Sequence, residues 1–162
     1  MAGIRVVILV AEKDFGRCAL ASRTQRALWP LAGKPILTRL IDSLAAEGIT
    51  SLSVYCESCE SDIRHAVGVP ASVSLEVSQD TLYRGTGGCL RHAANAHPDD
   101  LLVLLDGCQI HPPSVRNLLG IHEEQGGDLT VFTDSTTDSS VFEDLGQIII
   151  SRAEHLAGPI LS

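Results

Sequence analysis

Five consecutive apolar residues, Val6-Val7-Ile8-Leu9-Val10, stand near the head of the chain. An unbroken apolar run of this length predicts a strand covered on both faces, here Ile4 to Val10. A polar loop follows, Glu12 to Gln25, and then a fixed turn from Trp29 to Pro35. Past Pro35 the period changes. Ile36, Leu37, Leu40, Ile41 and Leu44 share one face of a helix that runs to Glu47, with Gly48 as its stop. Ser51 to Tyr55 reads as a second strand. Ser61 to Val67 reads as a short helix that Ser61 and Asp62 can cap. Val73, Leu75 and Val77 alternate as in a half-exposed strand. Gly85 to Gly88 lead into a helix through about Ala96. Leu101 to Leu105 is the most apolar strand and the expected centre of the sheet. Pro112-Pro113-Ser114 opens a helix carrying Val115, Leu118, Leu119 and Ile121, which ends near Gly126-Gly127. Leu129 to Phe132 and Gln147 to Ile150 are further strands, separated by the polar stretch Asp134 to Ser140. Strands alternating with helices imply an α/β fold with a mostly parallel, covered sheet. In such sheets ligands bind where loops leave the carboxyl ends of the strands.

Composition narrows the setting. The chain has 162 residues, 44% of them hydrophobic and 20% charged, enough for one domain with a sizeable aliphatic core. No repeat or interdomain linker divides it. The formal net charge of −8 argues against nonspecific binding to nucleic acid or anionic membranes, which depends on basic patches. No apolar run reaches the length of a membrane span, and the head of the chain lacks a long apolar signal region. A cytoplasmic setting is expected. The five cysteines, Cys18, Cys56, Cys59, Cys89 and Cys108, are scattered and odd in number, which suggests free thiols.

Candidate chemistry is sparse. Gly85-Thr86-Gly87-Gly88 is either a tight turn before a helix or a place where backbone atoms approach a ligand closely. Asp106-Gly107-Cys108 ends the central strand; it is either a turn closing that strand or a site where Asp106 holds a ribose hydroxyl or a metal through water. Cys108 and His111 have a spacing that zinc tolerates, but no second pair matches it. Cys56-Glu57-Ser58-Cys59 follows a strand and reads first as two incidental loop thiols, with a redox pair as the alternative. Arg17, Arg23 and Arg26 are the only basic concentration near the first loop.

Three patches, in order, resemble the sugar-phosphate nucleotidylyltransferases, the nucleotide-sugar pyrophosphorylases. Leu31-Ala32-Gly33-Lys34-Pro35 is similar to that family's Val-x-Gly-Lys-Pro-like turn, at the right distance from the first strand. Arg84-Gly85-Thr86-Gly87-Gly88-Cys89-Leu90 is similar to its Leu-Gly-Thr-Ala-Gly-Ala-Leu segment. Leu101 to Leu105 with Asp106-Gly107-Cys108 falls where the family has a strand ending in Asn-Gly-Asp. The resemblance implies a three-layer, Rossmann-like nucleotidyltransferase domain over residues 1–162. It also implies enzymes that join an NTP and a sugar 1-phosphate, releasing pyrophosphate. It carries nucleotide contacts onto Leu9, Ala11, Gly85, Thr86, Gly87, Gly88, Asp106 and Gly107, with phosphate held by Arg26 and Arg17. If the chain is catalytic, it implies Mg²⁺ with Asp106 as a weak ligand.

The departures from the family pattern bear on catalysis. Glu12 and Asp14 stand where the family has loop glycines, and Phe15 and Gly16 where it has Thr-Arg. Arg17 is one position off, Arg26 replaces a lysine, and Cys108 replaces the metal-holding aspartate. Carboxylates beside a triphosphate repel it by roughly 1 kcal/mol per close pair in water. A thiol is a poor ligand for Mg²⁺, which wants hard oxygens. Nucleotidyl transfer depends on cations to stabilise its transition state. Arg26 either keeps a phosphate contact or pairs with Glu12 or Asp14. The expectation is therefore a nucleotidyltransferase-like domain with catalysis weakened or lost. The alternative is a non-catalytic regulatory or assembly subunit that binds a nucleotide, a nucleotide-sugar, a protein partner or its own copy. The family's catalytic domain runs further than this chain, so the sequence reads either as a piece of a longer protein or as a reduced protein completed by a partner.

Overall fold

The computed structural model describes residues 3–11, 19–20, 23–82, 84–133 and 148–157. Strand β1 spans Ile4–Val10, as its apolar run predicts. Its side chains alternate between two cores: Val6, Ile8 and Val10 enter one, Val7 and Leu9 the other. That two-sided burial is why the run is unbroken rather than alternating. After a 3-10 turn at Arg26–Leu28, the short strands β2 (Pro30–Leu31) and β3 (Lys34–Pro35) pair antiparallel about Ala32-Gly33. Both turn residues have positive φ, 48° and 81°.

Helix α1 (Ile36–Ala46) buries the predicted stripe of Ile36, Leu37, Leu40, Ile41 and Leu44. Strand β4 (Ser51–Cys56) runs one residue past the expected end. Helix α2 (Glu60–Ala66) starts one residue early, with Cys59 at its N-cap and no side-chain cap. Ser61 and Asp62 therefore lie inside its first turn and do not cap it. Strand β5 (Ser74–Gln79) follows, then helix α3 (Gly85–Ala96), whose first turn is the glycine cluster itself. Strand β6 is Leu101–Asp106 and helix α4 is Val115–Gln125. Ser114 accepts the Asn117 N–H at the start of α4, and Gly126 closes it at φ 63°. Ile121, expected inward, is 41% exposed, and His122 is buried in its place. Strands β7 (Leu129–Phe132) and β8 (Ile148–Arg152) and a final turn of helix, α5 (Ala153–Leu156), complete the described chain. The expected polar stretch 134–140, and Gln147 at the expected start of the last strand, lie outside the described residues.

The six-stranded sheet has the order β5-β4-β1-β6-β8-β7. The pairings β5–β4, β4–β1 and β1–β6 are parallel, whereas β8 runs antiparallel to both β6 and β7. Helices α1, α2 and α4 pack against one face of the sheet, and α3 and α5 against the other. This is the expected α/β, three-layer arrangement, with β1 and β6 at its centre. No helix among the described residues is long and apolar enough to cross a membrane.

Candidate nucleotide cleft

Because four neighbouring strands are parallel, their carboxyl ends gather at one edge of the sheet. A cleft of about 160 Å³ opens there on the α3 side, lined by Leu9, Val10 and Ala11 from β1, Tyr55, Cys56 and Glu57 from β4, Asp80 after β5, and Gly85, Thr86 and Cys89 from α3. Most of this lining is apolar, with polar groups at a few points, as ligand clefts usually are. Four of the residues that the resemblance marked for nucleotide contact, Leu9, Ala11, Gly85 and Thr86, are therefore brought together. Gly87, Gly88, Asp106 and Gly107 are not among the lining residues, nor is Arg26.

The polar centre of the cleft is Asp80, which the sequence reading did not single out. It is only 5% exposed. Its backbone N–H donates to the Cys56 carbonyl at 2.7 Å, extending the β4–β5 ladder by one step. Its Oδ2 accepts the Arg84 backbone N–H at 2.8 Å and the Cys89 thiol at 3.5 Å. Those bonds tie Asp80 to Arg84 at the N-cap of α3 and to Cys89 within that helix. Its Oδ1 is buried without a hydrogen-bond partner, and the Arg84 Nε lies 3.7 Å away as a loose ion contact. A buried carboxylate oxygen left in this state costs free energy unless something donates to it. The only sequence signal was an acid directly after an alternating strand and five residues before Gly85.

The other polar groups are set by burial. Tyr55 is 6% exposed, and its hydroxyl meets His92 Nδ1 at 2.9 Å while the two rings stand edge to face. Burial, with the nearby Cys89 and Glu76, pushes its phenol up to about 12. Burial and the Asp80 carboxylate push the Cys89 thiol up to about 12, which keeps it protonated and inert. Gly85 opens α3 at φ 67°, a conformation glycine adopts at no steric cost. Cys56, set aside in the sequence as a loop thiol, forms part of the cleft wall.

At the end of β6, Asp106 Oδ1 accepts the Cys108 N–H at 2.8 Å and so shapes its own turn. Gly107 donates to the Leu9 carbonyl at 2.8 Å. A Cβ on Gly107 would meet Val10 Cγ2 at 2.8 Å, the Leu9 carbonyl oxygen at 3.1 Å and Ile8 Cγ2 at 3.2 Å. Close packing of β6 on β1 accounts for this glycine. The donor set at 106–108 does not fit Mg²⁺. It offers one carboxylate already engaged with the turn and one soft sulfur, and no group of three His, Cys, Asp or Glu suited to a metal occurs among the described residues. Arg26 lies half-buried in the 3-10 turn. Arg17, Glu12, Asp14, Phe15 and Gly16 lie outside the described residues.

No family model matches the chain. Among curated proteins it is 26% identical over 138 residues to the bifunctional protein GlmU of Exiguobacterium sibiricum, covering 83% of this chain and 29% of that protein. It is 24% identical over 130 residues to a mannose-1-phosphate guanylyltransferase of Mycobacterium tuberculosis, covering 79% of this chain and 36% of that protein. The chain thus spans about a third of the length of these relatives. Among solved structures, HddC from Yersinia pseudotuberculosis complexed with GMP-PN superposes with a TM-score of 0.69 at 16% identity, covering 96% of this chain and 80% of that one. A Mycobacterium tuberculosis protein solved with manganese superposes with a TM-score of 0.61 at 21% identity, covering 98% and 76%. At these identities the superpositions establish the fold.

Proposed function

We propose, from the premise that this chain is a divergent domain of the sugar-phosphate nucleotidyltransferase family, that it binds a nucleotide or nucleotide-sugar with the base in the Asp80 cleft, and that nucleotidyl transfer is weakened or lost. The observation that carries the binding half is the buried Asp80 Oδ1, which accepts no hydrogen bond and has only the loose Arg84 ion contact, beside Gly85 and Thr86. An ionised carboxylate only accepts hydrogen bonds, so the ligand edge it faces must donate. Among nucleobases, guanine offers two adjacent donors, its ring N–H and its amino group. Uracil and thymine offer one N–H flanked by carbonyl oxygens that a carboxylate repels. Adenine and cytosine each carry an amino donor beside an acceptor ring nitrogen that the carboxylate repels, so the nucleotide sought is a guanine nucleotide. Binding of a guanine nucleotide by the HddC protein, and the guanylyl activity named for the mannose-1-phosphate enzyme, are consistent with that choice.

Loss of catalysis rests on chemistry at the positions that resemble the family's metal and phosphate groups. Cys108 offers sulfur to a cation that prefers oxygen, and Asp106 is committed to its own turn. Arg26 is the phosphate contact in this reading. It supplies charge and a planar fork where the family has a lysine.

The test uses the chain with each NTP, several sugar 1-phosphates and Mg²⁺. GTP should raise the melting temperature more than UTP does, while pyrophosphate stays at the no-protein level. A melting temperature unmoved by every nucleotide would defeat the binding half. Pyrophosphate released well above background would defeat the claim of lost catalysis.

A further inference from the structure

The turn Cys56-Glu57-Ser58-Cys59 is fixed at both ends. Cys56 closes β4 in register with Val10 and Gln79. Cys59 is the N-cap of α2, where its carbonyl accepts the Ile63 N–H at 2.9 Å. Both residues are almost fully buried, 1% and 2% exposed, within the same apolar cluster. The two stand three positions apart on this one turn, and a hydrogen bond from Cys59 lowers the Cys56 thiol. Cys56 also donates to the Ser78 carbonyl at 3.8 Å, and it lines the cleft. Between them, Glu57 lines the same cleft, and its carbonyl accepts Gln79 Nε2 at 2.8 Å. This is a different arrangement from that of the other described cysteines: Cys89 is held by Asp80, and Cys108 lies in the turn that Asp106 shapes after β6.

We propose that Cys56 and Cys59 are a reversible dithiol, oxidised by hydroperoxides to a disulfide that moves the Glu57 wall of the cleft and weakens nucleotide binding. The chemistry balances with a hydroperoxide as oxidant. The Cys56 sulfur attacks the terminal peroxide oxygen and the O–O bond breaks. The alcohol, or water, leaves with the Cys56 proton, and Cys56 becomes a sulfenic acid. The Cys59 sulfur then attacks the Cys56 sulfur, the S–O bond breaks, and water leaves with the Cys59 proton. Two thiols and one hydroperoxide become a disulfide, an alcohol and water. Cys56 is the first sulfur to react for two reasons. It lines the opening through which a small oxidant arrives, and the hydrogen bond from Cys59 holds its thiol below the ordinary range against the opposing effect of burial. A disulfide needs its sulfurs about 2.0 Å apart, closer than hydrogen-bond contact. The anchored ends leave Glu57 and Ser58 to absorb that movement, and Glu57 faces the ligand space.

The closing of the cleft rests on the nucleotide reading; the disulfide does not. The experiment treats the full chain with graded hydrogen peroxide and follows intact mass, peptide mapping and GTP-induced thermal shift. The expected result is loss of the mass of two hydrogens, mapped to Cys56 and Cys59 and reversed by dithiothreitol. GTP affinity should fall by about tenfold in the oxidised form. Cys59→Ser should lose the linkage and leave a Cys56 sulfenic acid that dimedone traps. Because the mass of the unmutated chain decides the linkage, a variant that fails to fold does not rescue the proposal. Oxygen addition without loss of hydrogens, or a linkage mapped to any other cysteine, overturns the dithiol. Equal GTP binding by both forms overturns the moving wall. If neither form binds a nucleotide, the proposed function and the moving wall both fall, while the mapped linkage still stands on its mass.

Discussion

Gly107 and Asp80 each follow the carboxyl end of a parallel strand, β6 and β5, yet they answer to different demands. Gly107 is held by packing, because one of the atoms a Cβ would strike is the Leu9 carbonyl oxygen, which cannot swing aside. Gly107→Ala should cost about 1–3 kcal/mol, read as a lower melting temperature, and should do so whether or not a nucleotide is present. An unchanged melting temperature would mean that β6 can slide on β1. Asp80 is instead a reader of donors. Asp80→Asn keeps one acceptor oxygen for the α3 approach but replaces the other with a donor. The preference for GTP over UTP should therefore shrink or reverse, by calorimetry, with only modest loss of stability. A preference that survives in Asp80→Asn would move base recognition elsewhere in the cleft. Cys108→Asp restores a hard oxygen at one position only. It should not release pyrophosphate, because Glu12 and Asp14 still place negative charge in the first loop. Substantial turnover in that single variant would discredit the electrostatic reading of the loop.

Elements were legible in the sequence wherever one surface decided their pattern. The stripe of α1 and the unbroken run of β1 each report burial directly, and both fell where the pattern put them. Helix α4 shows the limit. Periodicity favoured Ile121 as a core residue, yet His122 is inside, its Nδ1 2.7 Å from Thr130 Oγ1 on β7. A polar residue can be buried when another element supplies its partner, and nothing in a single helix's period announces that partner. The cleft was half legible for the same reason. Gly85 and Thr86 stand out as a cluster, whereas Asp80 looks like any solvated acid after a strand until the fold encloses it. The cap of α4 was readable, because Pro-Pro-Ser is a local signal. Ser114 also donates to Glu47 Oε2 at 3.1 Å, beyond the end of α1. Ser114→Ala should thus cost about 1 kcal/mol or somewhat more by chemical denaturation, exceeding the loss of an isolated cap. A cost near zero would show that the Arg116 contacts with Glu47, from its backbone N–H and its side chain, hold the two helices without Ser114.

Across the whole molecule, the sheet separates its two edges by task. The cleft lies at the carboxyl ends of the parallel strands; the opposite side of the sheet carries a clamp. Arg5, 8% exposed at the start of β1, donates through Nε to Asp100 at 2.9 Å and through a terminal nitrogen to Ser53 Oγ at 3.1 Å. It also pairs with Glu76 on β5 at 3.3 Å, and His97 at the end of α3 meets Glu76 at 3.0 Å. One buried cation thereby ties β1, β4, β5 and the entry to β6 together. Burial works to raise the Glu76 carboxyl, but the His97 hydrogen bond and the charges of Arg5 and His97 outweigh it and hold the group below its ordinary value of 4.5. A carboxyl lowered on folding contributes stability that is present above its unfolded value and lost as pH falls through the folded one. Glu76→Gln should therefore melt lower than the unsubstituted chain at neutral pH. The two melting curves should converge as the pH drops below about 4. The gap should be small, because about half of the Glu76 side chain is exposed to solvent that screens it. Nucleotide affinity at neutral pH should not change, since no residue of the clamp lines the cleft. A constant gap across the whole pH range would assign the loss to packing rather than charge, and a fall in GTP affinity would show that the two edges of the sheet are coupled.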